Sequence, residues 1–183
     1  MSEISNGSIL IADPFLKDPN FLRTTILLCS CQSEGCMGFV LNRKHDIRVG
    51  DLVQEWENSN LPVYYGGPVQ MDTLQFVHRR PDLISGGVEI SPGIFWGGNF
   101  EEVTIYLKNE DISEDDIRFF IGYSGWGEGQ LEFELKEKSW LVTTSNQQLV
   151  FQKDISKIWE EAVKQIGGKY LQILNYPIDP RLN

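Results

Sequence analysis

The sequence predicts an α+β fold in a single compact domain of 183 residues. Short apolar runs, each closed by Gly, Pro or a polar cluster, have the length and composition of β-strands. One strongly periodic helix lies near the C-terminus, and shorter helical segments are scattered among the strands. Hairpins and scattered helices favour α+β over regular βαβ alternation. Residues 1–183 are therefore predicted to form one domain, ending in a tail from about residue 175.

The N-terminal half is predicted to consist mostly of strands. Residues 8–12 form a short apolar run, and residues 24–31 are apolar and β-branched enough for a central strand. The run 37–41 follows after a polar loop, so 24–31 and 37–41 predict a β-hairpin. Apolar residues at helical spacing predict a helix over 49–57. Further short strands are predicted at 63–65, 74–78, 86–90 and 94–96.

The C-terminal half holds the clearest helix. Apolar residues recur at helical spacing over 155–166, and a glycine pair follows at the position typical of a helix end. Asn99, followed by two glutamates, is predicted to cap an earlier helix. Strands are predicted at 117–121, 140–143 and 149–151.

Residues 122–135 concentrate the unusual residue types of this chain, with four glycines around Trp126. The glycines predict a tight turn, and Trp126 is expected to fill a hole with its Nε1–H bonded to a nearby acceptor. After Gly129 the apolar residues alternate as in a strand, but Leu131 and Leu135 also stand four apart, as on a helix. The good helix formers in this segment favour a helix.

The net charge and the N-terminal residues limit the kinds of partner and location that we expect for this protein. The formal net charge is −10, and an acidic surface repels the DNA backbone, so direct DNA binding is not expected. The first ten residues lack the basic and apolar regions of a signal peptide. No run reaches the ~18–20 apolar residues that span a bilayer. We therefore expect a cytoplasmic protein without a membrane partner.

Three cysteines lie close together in the chain. In the cytoplasm, Cys29, Cys31 and Cys36 are expected to be reduced thiols. Their C-x-C-x4-C spacing does not match a zinc knuckle, and no His is near in sequence. In a regular strand, Cys29 and Cys31 would share one face. The pattern favours buried structural thiols over a metal or redox site, and we predict no metal and no cofactor.

Two histidines and one serine are candidate catalytic groups. His78 ends an apolar strand; imidazole titrates near neutrality, which suits acid–base chemistry, but a structural hydrogen bond is the commoner role there. His45 lies in a polar loop and is expected to be solvated. Ser124 lies in a partial nucleophile-elbow motif, with Trp126 at the position of the second glycine. No His follows Ser124, which excludes a Ser-His-Asp triad in that chain order.

Two glycine clusters are candidate phosphate-binding loops. Neither Gly66-Gly67 nor residues 122–129 match the P-loop or the dinucleotide-binding pattern, so tight turns in the sheet are favoured. Gln130 and Glu132 are candidate polar groups around a groove, although a solvated helix face is the simpler interpretation.

Motifs spread over nearly the whole chain carry a family resemblance. They are Leu10-Ile11-Ala12 with Pro14; Asp18-Pro19-Asn20-Phe21 with Arg23 and Thr24; residues 35–43 (GCMGFVLNR); Gly66-Gly67-Pro68-Val69; Phe76-Val77-His78; residues 122–126 leading into 129–132; and Trp159. In these motifs the chain resembles the YqgE/AlgH family of bacterial proteins. The resemblance implies a mostly antiparallel sheet rolled towards a barrel with flanking helices, and it favours the helix after Gly129. Cys31 stands where the family often has His, and Cys36 where Ala is usual, which weakens any metal site.

The resemblance implies a transcriptional regulator and no established catalytic residues. Together with the charge, it leads us to expect a non-enzymatic cytosolic regulatory or interaction protein that acts through a protein partner. The alternative is a small-molecule-binding protein, or an enzyme, with a cleft near His78 and the turn 122–130. The candidate binding residues are Asn42, Arg43, Gly66, Gly67, His78, Trp126, Gln130 and Glu132.

Overall fold

A computed structural model describes residues 4–16 and 18–176 of the chain. Within these residues it forms ten strands: β1 (Ser8–Ala12), β2 (Thr25–Gln32), β3 (Gly35–Val40), β4 (Lys44–Arg48), β5 (Pro62–Tyr65), β6 (Val69–His78), β7 (Val88–Ser91), β8 (Ile94–Trp96), β9 (Ile117–Gly127) and β10 (Trp140–Thr144). The α-helices of the same residues are α1 (Phe100–Lys108), α2 (Gln130–Lys136), α3 (Gln147–Val150) and α4 (Ile158–Ile166). Short 3-10 helices cover Val49–Asp51, Gln54–Trp56, Ile155–Lys157 and Gly168–Asn175. Most of the predicted tail, residues 177–183, lies outside the described residues.

The strands form a curled half-barrel in a single domain, flanked by the helices. The strand order is β10-β1-β2-β3-β9-β6-β8-β7, and neighbours along this path are antiparallel. β5 adds the one parallel pairing described, with β9. The α+β fold with a rolled, mostly antiparallel sheet is therefore confirmed. No helix of the described segments is long and apolar enough to cross a membrane.

The long strand β9 makes the corner of the sheet. Its first half pairs with β6 and β5, and its last residues pair with β3. Between these parts Gly122 adopts φ +65, where a Cβ would lie 2.4 Å from the Gly67 carbonyl oxygen. The expected tight turn over residues 122–129 is thus wrong for most of its length, because the glycines bend a strand that continues to Gly127. The helix after Gly129 is confirmed.

Helices cover both faces of the sheet around β1 and β2. Ile9 and Ile11 face a core cluster that includes Trp159 of α4, while Leu10 faces a second cluster with Trp126. This two-sided cover explains why β1 is buried at every position, and is apolar from Ile9 to Ala12 instead of alternating. At about 1.5–3 kcal/mol per large buried side chain, these clusters supply much of the stabilisation of the fold.

Two predicted elements take a different form. The helix predicted over 49–57 is a pair of 3-10 turns, because Gly50 lies where a Cβ would come 2.8 Å from the carbonyl oxygens of Trp56 and Ser59, so the chain folds back on itself. The strand predicted over 149–151 is instead the end of α3, which stops at Val150 with Phe151 as its C-cap. The start of α3 is capped by Asn146, whose Oδ1 accepts from the Leu149 amide at 2.9 Å.

The cysteines also differ from expectation. A register shift between Leu28 and Ser30 inserts one residue into β2, so Cys29 packs into one core cluster and Cys31 into the other. Cys31 lies opposite Cys36 across the hairpin and is joined to it by a disulfide, with the Cα atoms 4.1 Å apart. The prediction of three reduced thiols is therefore wrong for this pair; Cys29 remains a buried free thiol.

Candidate functional site

The predicted residue Trp126 is part of the core. Its ring is 5% exposed, and its Nε1–H donates to Oε2 of Glu134 at 2.9 Å. Trp140 donates to the same oxygen at 2.7 Å, so one carboxylate satisfies two indoles. The expectation of a nearby acceptor for Trp126 is confirmed, but the residue that supplies it was not among the candidates.

Gln130 and Glu132, the two polar candidates that follow Trp126, lie on different faces of helix α2. Gln130 accepts from the Gly127 amide at 3.1 Å and donates to Glu134 at 2.9 Å, so it closes the connection between β9 and α2. Glu132 lies two positions further along the helix, is exposed, and is on a different face from Gln130 and Glu134. These side chains support a corner of the fold and do not form a groove with the other candidates.

His78 is a buried structural histidine. Its Nδ1 accepts from the Arg80 amide at 3.2 Å, so its Nε2 carries the proton and donates to the Gly97 carbonyl at 3.1 Å. Its ring stacks on Phe95, with centroids 5.6 Å apart. Burial lowers the pKa of His78, which keeps the imidazole neutral. Both nitrogens are therefore engaged with backbone, which leaves neither free for acid–base chemistry.

The glycine pair 66–67 allows two backbones to come close together. A Cβ on Gly66 would lie 2.3 Å from the Gly122 carbonyl oxygen, and one on Gly67 would lie 2.2 Å from the Tyr123 carbonyl carbon. The Gly66 amide donates to Ile121, and its carbonyl accepts from both the Val40 amide and the Ser124 hydroxyl. The polar groups of Gly66 therefore form hydrogen bonds within the sheet. The hydroxyl of Ser124, which is fully buried, is engaged in the same way.

Asn42 and Arg43 fasten the loop before β2. Asn42 accepts from the Thr25 amide at 2.9 Å and donates to the Arg23 carbonyl at 2.8 Å. Arg43 donates to the carbonyls of Pro19 and Leu22 at 3.3 and 3.2 Å. Together they hold the segment that ends at Arg23, whose φ of +49 is uncommon for a residue with a side chain. Sparsely populated backbone conformations of this kind cluster at functional sites.

A cleft opens next to this loop. Its volume is about 830 Å³. We call it the Arg23–Trp159 cleft; its lining residues are Arg23, Asn42, Ile155, Ser156, Trp159, Glu160, Leu174 and Asn175. Of the predicted binding residues, Asn42 lines this cleft, whereas Arg43 and Trp126 line two others. The predicted site near His78 and the turn 122–130 is thus divided among separate parts of the fold.

The guanidinium of Arg23 is the chemically distinctive group of the cleft. Its carbon lies 4.5 Å from the centroid of the Trp159 ring, in a cation–π contact. Trp159 is fixed in turn by a hydrogen bond from Nε1 to the Ala12 carbonyl at 3.0 Å. One Nη2 hydrogen of Arg23 goes to the Tyr176 carbonyl, and Nε is buried without an acceptor among residues 4–16 and 18–176. Burial also lowers the pKa of Arg23.

Two other polar side chains of the cleft are already paired with neighbours. Glu160 is ion-paired with Lys164 at 2.6 Å, and the Ser156 hydroxyl donates to Asp154 at 2.5 Å. No histidine or cysteine lines the cleft as described. Within the described ranges, no three His, Cys, Asp or Glu side chains are grouped so that they could hold a metal ion. The arrangement can bind a planar anion such as a carboxylate through the guanidinium edge.

Sequence reasoning missed the grouping of this cleft. Arg23, Asn42 and Trp159 each lie in a different motif, and only the fold brings them together. Arg118, a buried cation in β9, was also missed. It donates to the Leu41 and Gln152 carbonyls and lies 4.4 Å from the Tyr64 ring centroid. The sequence feature that indicates this residue is a single Arg within an otherwise apolar run.

Comparisons with known proteins support one family. The AlgH-like family model (DUF179) matches residues 9–171. A UPF0301 protein of Chlorobaculum tepidum is 38% identical over 177 residues, which cover 97% of this chain and 95% of that protein. A UPF0301 protein of Cytophaga hutchinsonii is 37% identical over 181 residues, covering 98% of this chain and 100% of the relative.

Solved structures share the fold. The crystal structure of protein DIP2367 from Corynebacterium diphtheriae has a TM-score of 0.79 at 19% identity, and the match covers 95% of this chain and 93% of that one. The solution structure of the AlgH protein from Pseudomonas aeruginosa has a TM-score of 0.72 at 24% identity, and the match covers 97% and 98%. The family match and the relatives together show that the chain belongs to the AlgH-like family.

Proposed function

We propose that this protein is a non-catalytic regulatory protein that acts on transcription by binding a protein partner, with the Arg23–Trp159 cleft as part of the binding surface. The proposal depends on the observation that Arg23, Asn42 and Trp159, from three separate motifs, line one cleft. A guanidinium held on an indole face is a recognition group for carboxylates. We infer that the partner presents an acidic side chain or a chain terminus to it.

The placement of the acid–base candidates supports a non-catalytic role. His78 and Ser124 are fully buried and use their polar atoms in hydrogen bonds to backbone. The cleft itself combines one cation with a serine and a glutamate that are already paired. Catalysis by proton transfer needs a group within reach of the substrate and with a suitable pKa, and neither buried group meets the first condition.

The charge of the chain supports a protein partner over DNA. A net charge of −10 opposes close approach to a phosphate backbone. Fluorescence anisotropy with labelled duplex DNA tests this at low and high salt. We expect no nanomolar complex at either concentration. A salt-sensitive nanomolar complex would overturn the proposal that the protein reaches transcription through another protein.

The partner can be sought by photocrosslinking in cells. A photoreactive amino acid at Ser156, an exposed residue of the cleft, is compared with the same group at Glu101 on α1, which is exposed and outside the cleft. We expect a discrete adduct from position 156 alone, lost on Arg23→Ala, and identified by mass spectrometry as a transcription protein. Equal adducts from both positions, or an adduct that survives Arg23→Ala, would remove the cleft from the binding surface.

A second candidate function is the binding of a small molecule. The observation that favours it is the cleft volume of about 830 Å³, within the roughly 300–1,000 Å³ typical of ligand pockets. A thermal-shift screen of metabolite carboxylates and nucleotides separates the two functions. A ligand that raises the melting temperature of the wild type but not of Arg23→Ala would favour this alternative.

A further inference from the structure

Two cysteines lie next to the turn of the β2–β3 hairpin. Cys31 is near the end of β2, Cys36 is near the start of β3, and they pair directly across the ladder. Only one further pair, Gln32 with Gly35, separates them from the hairpin turn. The two Cα atoms lie 4.1 Å apart, and a disulfide joins the side chains.

The third cysteine is shielded from the same chemistry. Cys29 is 1% exposed and lies in the core cluster on the opposite face of the sheet. Burial raises the pKa of its thiol, which keeps it protonated and unreactive. Cys31 and Cys36, in contrast, are both partly exposed. Thiol chemistry is therefore confined to this pair.

Both sulfurs of the pair lie on the face of the sheet that carries Trp126 and Trp140. Cys31 and Cys36 pack against that cluster, and both residues remain partly exposed. Because they pair directly across the ladder, their side chains project to the same side of the hairpin. A small disulfide can therefore approach the pair from this face, with one cysteine beside the other as the second thiol. The carboxylate of Glu34, in the adjoining turn, disfavours anionic reagents, so neutral ones should react faster.

The disulfide holds together little that the sheet does not already hold. The two cysteines are five residues apart in sequence, and the stabilisation expected from a disulfide grows with the length of the loop that it closes. The ladder on both sides, from Ile26–Val40 to Gln32–Gly35, keeps the strands paired without it. The bond can therefore open and close while the fold is retained.

We propose that Cys31 and Cys36 form a reversible thiol–disulfide exchange site for low-molecular-weight disulfides. In the oxidation, one cysteine thiolate of the pair attacks one sulfur of the small disulfide, forming a mixed disulfide and releasing one small thiolate. The other cysteine thiolate then attacks the protein sulfur of that mixed disulfide, forming the intramolecular disulfide and releasing the second small thiolate. Two protein thiols lose two electrons and two protons, and the small disulfide gains them as two thiols.

The test titrates the purified full-length protein in glutathione redox buffers until equilibrium. Samples are acid-quenched and alkylated, and peptide mass spectrometry assigns the state of each cysteine. We expect the 31–36 pair to convert between dithiol and disulfide as one two-electron couple, while Cys29 stays reduced throughout. A pair that remains wholly oxidised or wholly reduced across all buffers would overturn the proposal.

Variants assign the steps. Cys31→Ser and Cys36→Ser should each accumulate a mixed disulfide with bis(2-hydroxyethyl) disulfide, a neutral probe, because the second thiol is missing. Failure of both variants to trap this mixed disulfide would contradict stepwise exchange at the pair. Cys29→Ala should titrate like the wild type, and the wild-type peptide maps keep the test valid if a variant folds poorly.

Opening of the disulfide within the folded protein can be measured separately. Hydrogen exchange of residues 30–37 should rise on reduction, while the melting temperature changes by a few degrees. A melting temperature that collapses on reduction would show a structural bond that holds the fold together, and would exclude a site that exchanges within the native state.

Discussion

Trp126 donates its indole hydrogen to Oε2 of Glu134 at 2.9 Å, at the end of the strand that turns the corner of the sheet. Trp140 donates to the same oxygen, and the two rings meet edge to face with centroids 6.0 Å apart. The glycine-rich segment around Trp126 is therefore held in place by a glutamate on the following helix. Removing that glutamate leaves two buried donors without an acceptor.

Replacing Glu134 with Ala should destabilise the fold by about 2–4 kcal/mol. Each unsatisfied buried donor costs roughly 1–3 kcal/mol, and water entering the vacated space recovers part of it. Urea unfolding followed by tryptophan fluorescence measures the effect. Glu132→Ala, an exposed position on the same helix, is the matched control and should stay within about 0.5 kcal/mol of the wild type. Similar losses in both variants would contradict a specific role for Glu134.

Truncating Trp126 to Ala should cost roughly 3–5 kcal/mol, because a large buried ring leaves a cavity. For a chain of this size, that corresponds to a fall in melting temperature of about 6–20 °C. Differential scanning calorimetry measures it. In the background of Glu134→Ala the same truncation should cost less, since part of the interaction is already gone. An unchanged melting temperature would mean that the ring is outside the core.

The strands and the last helix could be predicted because their burial leaves a local pattern. Residues 9–12 of β1 and 26–29 of β2 are covered on both faces and are apolar, and α4 buries one stripe against them. The β2–β3 hairpin followed from two such runs with a polar loop between them. The paired 3-10 turns around Trp56 were missed, because what decides them is the close approach of Gly50 to distant carbonyl groups.

Apart from Asn42, the candidate site could not be predicted, because its members are separated in sequence. The contact of Arg23 with Trp159 joins the loop before β2 to the last helix, and no periodicity connects them. His78 had the right residue type for chemistry, but its role was decided by backbone partners at Arg80 and Gly97. The Cys31–Cys36 pairing depends on strand register, which the spacing alone does not define.

Adding a methyl group at Gly66 should disrupt the corner of the sheet. A Cβ there would lie 2.3 Å from the Gly122 carbonyl oxygen, a backbone atom that cannot move without breaking the β9 pairing. Gly66→Ala should therefore cost about 1–3 kcal/mol or more through overpacking. Gly127→Ala is the matched control, because no atom lies within 4 Å of its Cβ position. It should be neutral, and equal losses in a chemical unfolding experiment would refute steric crowding at Gly66.

Stability should fall as the pH drops below about 6.5, in part because of His78. Burial lowers the pKa of the folded imidazole below its ordinary value of about 6.5. As the pH falls through that value, the unfolded chain takes up the proton first, so the free energy of unfolding decreases until the pH reaches the pKa of the folded state. Above about pH 7 the imidazole is neutral in both states and contributes no slope.

The slope from one such group is at most about 1.4 kcal/mol per pH unit, and urea titrations between pH 5 and 7.5 can resolve it. His78→Gln should lower the stability at every pH, because the hydrogen bonds to Arg80 and Gly97 are altered, and should flatten the slope below pH 6.5. If His78→Gln retains the full slope, the pH dependence arises from other groups and the neutral, doubly bonded imidazole is not its source.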